Sequence, residues 1–110
     1  MAKAEVHAGV CGFTTVVETT MQGDVCKVSM QSECAAIQRL ANELAEVNPY
    51  QEISWRRKTP LTLEMAAKYC SHAACPVPVG IIKAVEVEAN LALPADVIIK
   101  VSRSENSTQK

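Results

Sequence analysis

The fold of this chain is decided by residues 3–30, KAEVHAGVCGFTTVVETTMQGDVCKVSM. Apolar and polar side chains alternate over residues 3–10, which is the period of a strand with one buried face. Cys11-Gly12 interrupts the alternation. A second patterned stretch, residues 13–30, is divided by Gln22-Gly23-Asp24, whose composition is typical of a tight turn. The sequence therefore predicts three consecutive strands in an antiparallel meander.

Beyond this stretch the pattern changes to helical spacing. Ser32 is typical of a helix N-cap and Asn48-Pro49 of a helix end, so a first helix is expected between them. Two more helices are predicted over about 60–70 and 78–91, each introduced by a proline suited to a helix start. Residues 95–101 alternate again and predict a fourth strand. The expected fold is α+β, in the order β-β-β-α-α-α-β, with the helices packed on one face of the sheet.

Length and composition restrict the class of protein. A chain of 110 residues with 48% hydrophobic and 21% charged residues has room for one folded domain, expected over 1–102, with a polar, disordered tail over 103–110. The net charge of -1 argues against a nucleic-acid partner, which normally requires a basic excess. No apolar run approaches the ~20 residues of a membrane span, and the N-terminus does not look like a signal peptide. A cytoplasmic protein without a membrane partner is therefore expected.

Five cysteines are the most informative feature of the composition. An odd number without an export signal argues against a disulfide framework and for buried, reactive or metal-binding thiols. Cys11, Cys34 and Cys75 lie at the ends of predicted elements, and Cys34 follows the Ser32 cap at the second helical position. Helix N-termini stabilise a thiolate, which is the form that binds metal.

The remaining two cysteines receive different interpretations. Cys26 shares strand parity with Val28 and Met30, so it is expected to be a small core residue. Cys70 stands near Cys75, and either Cys70 or His72 could supply a fourth ligand to a metal site formed by the first three cysteines. A closed tetrahedral zinc site would require such a ligand.

This arrangement resembles the NifU/IscU-like iron–sulfur scaffold proteins. In that family a strand leads to a Cys-Gly-Asp turn, a hairpin follows, and the second and third cysteines each open a helix. Cys11-Gly12, Cys34 and Cys75 stand in the same order, and the resemblance covers about residues 4–91. Phe13 stands where the family has Asp, and Ala74 stands where it has His.

The resemblance implies a function as well as a site. It implies that Cys11, Cys34 and Cys75 bind an iron–sulfur cluster and that a protein partner exchanges the cluster. The chain is also similar to small uncharacterised prokaryotic proteins that share its Cys11-Gly12-Phe13, Ser32-Glu33-Cys34 and Cys75-Pro76-Val77-Pro78 motifs. That second likeness implies no activity.

Three functional hypotheses follow from the sequence. The first is a scaffold-like or carrier-like protein without turnover chemistry, which holds an iron–sulfur cluster or Zn²⁺ through soft thiolates. The second is a redox or nucleophilic thiol at Cys34 or Cys75. The third is a non-catalytic interaction module that uses Trp55-Arg56-Arg57-Lys58, although an aromatic-poor chain is expected to pack Trp55 in its core. An edge position for the strand over 95–101 would also allow a homodimer.

Overall fold

The computed structural model describes residues 1–104, so most of the tail expected over 103–110 lies outside the described residues. Its one sheet consists of β1 (Ala2–His7), β2 (Thr14–Gln22), β3 (Val25–Gln31) and β4 (Glu46–Val47). All neighbouring strands are antiparallel and follow one another in the order β1-β2-β3-β4. The α+β class and the initial meander are confirmed.

Local chemistry explains the turns of this meander. The β2–β3 turn includes Gly23 at a φ of 63°, a left-handed conformation that glycine adopts without a Cβ penalty. The longer β1–β2 loop is closed by a hydrogen bond from the Ala8 N–H to the Phe13 carbonyl, 3.1 Å long. These two connections fix the register in which β2 pairs with both of its neighbours.

The structure contains four helices in its described part. They are α1 (Ala35–Glu43), α2 (Pro49–Glu52), α3 (Leu61–Tyr69) and α4 (Val77–Glu88). Among residues 1–104, no helix is both long enough and apolar enough to cross a bilayer.

Helix α4 lies directly on β1 and β2. The Thr19 hydroxyl donates to the Ala84 carbonyl across 3.0 Å, and the Met21 N–H donates to the Glu88 carboxylate across 3.0 Å. At the other end of the helix, a Cβ on Gly80 would overlap Val6 Cγ2. The absence of a side chain at position 80 therefore lets α4 approach β1 closely.

The core fills the space between the helices and one face of the sheet. Its side chains are mainly aliphatic, because the chain has only four aromatic residues. The deepest members are Val17, Cys26, Leu40, Ile81 and Val85, all with no exposed surface. The expectation that Cys26 is a core residue is confirmed.

The order of elements differs from the expected one. The observed order is β-β-β-α-β-α-α-α, since a short strand follows α1 and the four-residue α2 precedes α3. β4 forms because Glu46 and Val47 pair with Lys27 and Cys26. Two paired residues carry too little alternation to be recognised from sequence.

The strand expected over 95–101 is absent, and this expectation was wrong. Every residue from 90 to 104 is exposed, and the segment after residue 92 has no regular secondary structure. Alternation shows that a segment could pair as a strand, but pairing also requires an available sheet edge. Among residues 1–104 the segment pairs with neither edge strand of the sheet, β1 or β4.

The helix boundaries also differ from the expected ones. Cys34 is itself the N-cap of α1, rather than its second helical residue. Ser32 accepts hydrogen bonds from the Cys34 N–H and the Thr15 hydroxyl, at 3.1 and 2.9 Å. The helix expected over 78–91 runs over Val77–Glu88 and ends two residues before Asn90, whose φ is 62°.

Candidate thiol site

Three half-buried cysteines lie where three helices begin or end. Cys34 is the N-cap of α1, Cys70 is the C-cap of α3, and Cys75 stands two residues before α4. All three pack against the hydrophobic core. We call these residues the thiol cluster.

Hydrogen bonds of the backbone fix these positions. The Cys34 carbonyl accepts from the Gln38 N–H across 2.9 Å, and the Cys70 N–H donates to the Ala66 carbonyl across 2.8 Å. The Cys75 N–H donates to the His72 carbonyl across 3.2 Å, which closes the connection between α3 and α4. The main chain therefore holds each cysteine at an element end, while its thiol remains free of disulfide bonds.

The thiols interact with one another. Burial is the largest cause that raises the pKa of Cys70 to about 11. The charge of the Cys75 thiolate and a hydrogen bond with the Cys75 side chain raise this pKa further, and the charge of Cys34 also contributes. A thiol with this pKa is protonated at neutral pH, so the cluster as it stands disfavours several simultaneous negative charges.

The other candidate ligands of the sequence lie outside this cluster. Cys11 is exposed in the β1–β2 loop, between Gly9 and Gly12, both of which have positive φ angles. This loop leaves the same end of the sheet as Cys34, because Thr15 at the start of β2 donates a hydrogen bond to Ser32. His72 is exposed on the connection between α3 and α4.

The donor set has the chemistry of a soft-metal site but lacks its geometry. Three thiols would suit zinc or an iron–sulfur cluster better than a hard cation. Among residues 1–104, however, no group of three or more His, Cys, Asp or Glu side chains is placed to hold a metal ion. Coordination would require rotation of these side chains or movement of the loop that carries Cys11.

Glu52 is an important residue that the sequence interpretation missed. The residue is 2% exposed, and its carboxylate accepts hydrogen bonds from the N–H groups of Leu61 and Thr62 at 2.9 and 2.8 Å. The Thr62 hydroxyl donates a third bond across 2.6 Å. Glu52 thus caps α3 from outside that helix, a role that no local pattern around Thr59-Pro60 could reveal.

The segment Trp55–Lys58 forms an exposed loop. Trp55 is 70% exposed, and nearby Tyr50 is 72% exposed. The expectation that Trp55 packs in the core was therefore wrong. Aliphatic side chains from the sheet, α1 and α4 already fill the interior, so burial of an indole is not needed to complete it.

Comparisons with known proteins identify a family without assigning an activity. No curated protein and no solved structure gives a significant match. A family profile described as "Family of unknown function (DUF6951)" matches residues 2–101, which include the whole sheet, all four helices and all five cysteines. This chain therefore belongs to DUF6951, a family of unknown function.

Proposed function

We propose that this protein binds a soft metal, as zinc or an iron–sulfur cluster, through the thiol cluster in a scaffold-like or carrier-like role. The observation that supports the proposal is the convergence of Cys34, Cys70 and Cys75 from three separate element ends. Convergence of thiols from distant positions in sequence requires a specific fold. Soft thiolates are the ligands that these metals prefer.

The high pKa of Cys70 is compatible with metal binding. Without a metal, the burial of Cys70 and, after it, the neighbouring thiols raise its pKa and keep it protonated. A bound cation would reverse this balance, because it stabilises thiolates and releases their protons. Binding is therefore expected to become stronger as the pH rises.

Cys11 is the proposed fourth ligand. It lies in an exposed loop at the end of the sheet that also carries Cys34, and its glycine neighbours give the loop freedom to move. His72 and solvent are the alternatives for this position. An exchangeable fourth ligand would suit a carrier that passes a cluster to a protein partner, and a cytoplasmic location would keep the thiols reduced.

Metal binding is tested on the full chain, purified anaerobically and reconstituted either with zinc or with iron and sulfide. We expect about one zinc ion per chain or visible absorption from an iron–sulfur cluster. Cys34→Ser, Cys70→Ser and Cys75→Ser should each weaken binding at least tenfold, since each removes one thiolate.

Cys26→Ala is the matched control, because it removes the one cysteine that lies in the core away from the cluster. It should bind metal as the unchanged chain does, and circular dichroism establishes that each variant is folded. A folded chain that binds neither zinc nor a cluster under these conditions would reject the proposal.

A thiol redox role is the second candidate. The observation that favours it is the position of Cys75 five residues after Cys70, close enough that its side chain raises the pKa of Cys70. Oxidation by glutathione disulfide would join their sulfur atoms and release two molecules of glutathione thiol. Cys75 is the expected attacking thiol, because the raised pKa of Cys70 keeps Cys70 protonated.

Mass spectrometry of the oxidised protein separates the two roles. A redox pair should yield a peptide in which Cys70 and Cys75 are linked, at a glutathione potential found in cells. A metal site should instead lose its metal when these thiols are oxidised. Failure to form the linked peptide, even with excess oxidant, would contradict the redox role.

A further inference from the structure

Residues 91–104 leave the body of the protein as an extended apolar arm. Val97, Ile98, Ile99 and Val101 are between 57% and 89% exposed, and Leu93 is 88% exposed. Soluble monomers rarely leave so many neighbouring aliphatic side chains in water. Branched aliphatic residues in alternation are the composition of a strand, so the missing feature is a partner edge.

β1 offers a free edge of the corresponding length. It is the outermost strand of the sheet and pairs only with β2 among the described residues. Its six residues leave alternate N–H and carbonyl groups unpaired on the outer side. No proline or bulge blocks this edge, although natural edge strands usually carry such a block.

The arm begins beside the start of β1. Glu88, at the end of α4, lies 3.2 Å from the amino group of Met1. The arm therefore begins next to the free edge, yet it does not pair with it. Asn90, with its φ of 62°, and Pro94 fix the direction of departure.

We propose that residues 95–101 pair as a strand with the free edge of β1 in a second copy of this chain, and that the two copies exchange arms reciprocally. Each arm leaves next to its own β1, so a twofold arrangement brings both arms to both edges over a short distance. Val97, Ile99 and Val101 then continue the apolar face formed by Ala2, Ala4 and Val6.

Charge and area both fit this pairing. The opposite face of the arm strand carries Asp96, Ile98 and Lys100, while the exposed face of β1 carries Lys3 and Glu5, so each strand offers one acid and one base. Val97, Ile99 and Val101, which share the face that would pack, expose roughly 300 Å² of side chain in each arm. Two arms and the surfaces that they cover would bury on the order of 1,200 Å², at the lower end of the range of specific interfaces.

The inference does not depend on the thiol site. The arm begins where β1 starts, whereas Cys34 lies at the opposite end of the sheet, beside the β1–β2 loop. Arm exchange and metal binding can therefore be tested separately, and either can fail without the other.

The test combines light scattering with hydrogen exchange on the full chain at tens of micromolar. A dimer of about twice the 11.9 kDa chain mass is expected. The amides of residues 95–101 should be protected in it, although no strand of the described part of one chain pairs with them.

Ile99→Asp is the decisive variant, because it places a charge on the face that would pack in the partner. We expect it to raise the dissociation constant about a hundredfold, since both arms are changed. Leu93→Asp is the matched control: it adds the same charge at an equally exposed position before the paired segment, and it should remain dimeric.

Three results would overturn the proposal. The first is a monomer whose arm amides are unprotected. The second is a monomer whose arm amides are protected, which would place the arm on its own β1. The third is a dimer that remains intact in Ile99→Asp. The body of Ile99→Asp should remain folded and unfold in one cooperative urea transition, because Ile99 is 75% exposed and contributes nothing to the core.

Discussion

At the residue scale, Cys70 shows how position determines the chemistry of a thiol. It is the C-cap of α3 and packs against the core, and burial is the largest cause of its raised pKa. Cys75 and Cys34 act on it in the same direction. Exposed thiols gain reactivity near positive charge, whereas this one is held in its protonated form.

Alkylation should reveal this protonated state. At pH 8 the thiolate fraction of Cys70 is about a hundredfold smaller than that of a thiol with a pKa of 9.0, so iodoacetamide should modify it about a hundredfold more slowly. Mass spectrometry of peptides measures the rate at each cysteine. Cys75→Ser should accelerate the reaction of Cys70, because it removes a neighbouring charge. An unaltered rate in that variant would show that the two thiols do not interact.

Unfolding gives a second measurement of the same shift. The pKa of Cys70 is raised from 9.0 to about 11 in the folded state, so between these pH values the folded chain holds more protons than the unfolded chain. The contribution of Cys70 to stability is therefore complete below pH 9 and lost as the pH rises towards 11. Cys70→Ala should reduce this loss in urea unfolding experiments.

The candidate site could be predicted only in part from single residues. Cys34 and Cys75 are recognisable because both stand beside helix starts, where proline or serine marks the boundary. Cys70 is ambiguous because its position also fits a helix stripe, and only the packing of α3 brings it to Cys75. The exposure of Cys11 depends on the path of a loop, which no periodic pattern encodes.

At the element scale, Glu52 connects two helices that the sequence presents as unrelated. It ends α2, and its carboxylate satisfies the first two N–H groups of α3. Pro60 occupies the N-cap position of α3 and makes no side-chain hydrogen bond there. The buried carboxylate therefore performs the function that a serine or aspartate would perform locally.

Glu52→Gln should lower the free energy of unfolding by about 1–3 kcal/mol. The amide keeps the shape of the side chain, but its NH₂ group would face N–H donors in place of an acceptor. Urea unfolding measures the change. Glu46→Gln is the control, because its ion pair with Lys27 lies at the surface and should contribute less than about 1 kcal/mol. Equal losses in the two variants would contradict a capping role for Glu52.

Elements were predictable where the pattern is local and long. β1, β2 and β3 alternate over six to nine residues, and α1 and α4 show the spacing of a buried face. β4 has two residues and depends on its partner β3, so its own sequence contains almost no signal. Residues 95–101 show the reverse case, since their strand pattern is strong but no strand within residues 1–104 pairs with them.

At the scale of the whole molecule, the core and the arm are separate. Val17, Leu40, Ile81 and Val85 are fully buried without any contribution from residues 91–104. One chain can therefore complete its core alone, and arm exchange would add stability to a body that is already folded. This separation predicts how stability should depend on protein concentration.

Below the dissociation constant of the proposed dimer, the urea midpoint should be independent of concentration. Above it, each tenfold rise in concentration should stabilise the dimer by about 1.4 kcal/mol, because only the folded form binds a second copy. The urea midpoint is measured over a hundredfold range of protein concentration, by fluorescence of Trp55, the only tryptophan, or by circular dichroism. Ile99→Asp should remove the dependence and leave the midpoint at its low-concentration value. A midpoint that stays constant for the unchanged chain throughout this range would mean that the arm has no partner in a second copy.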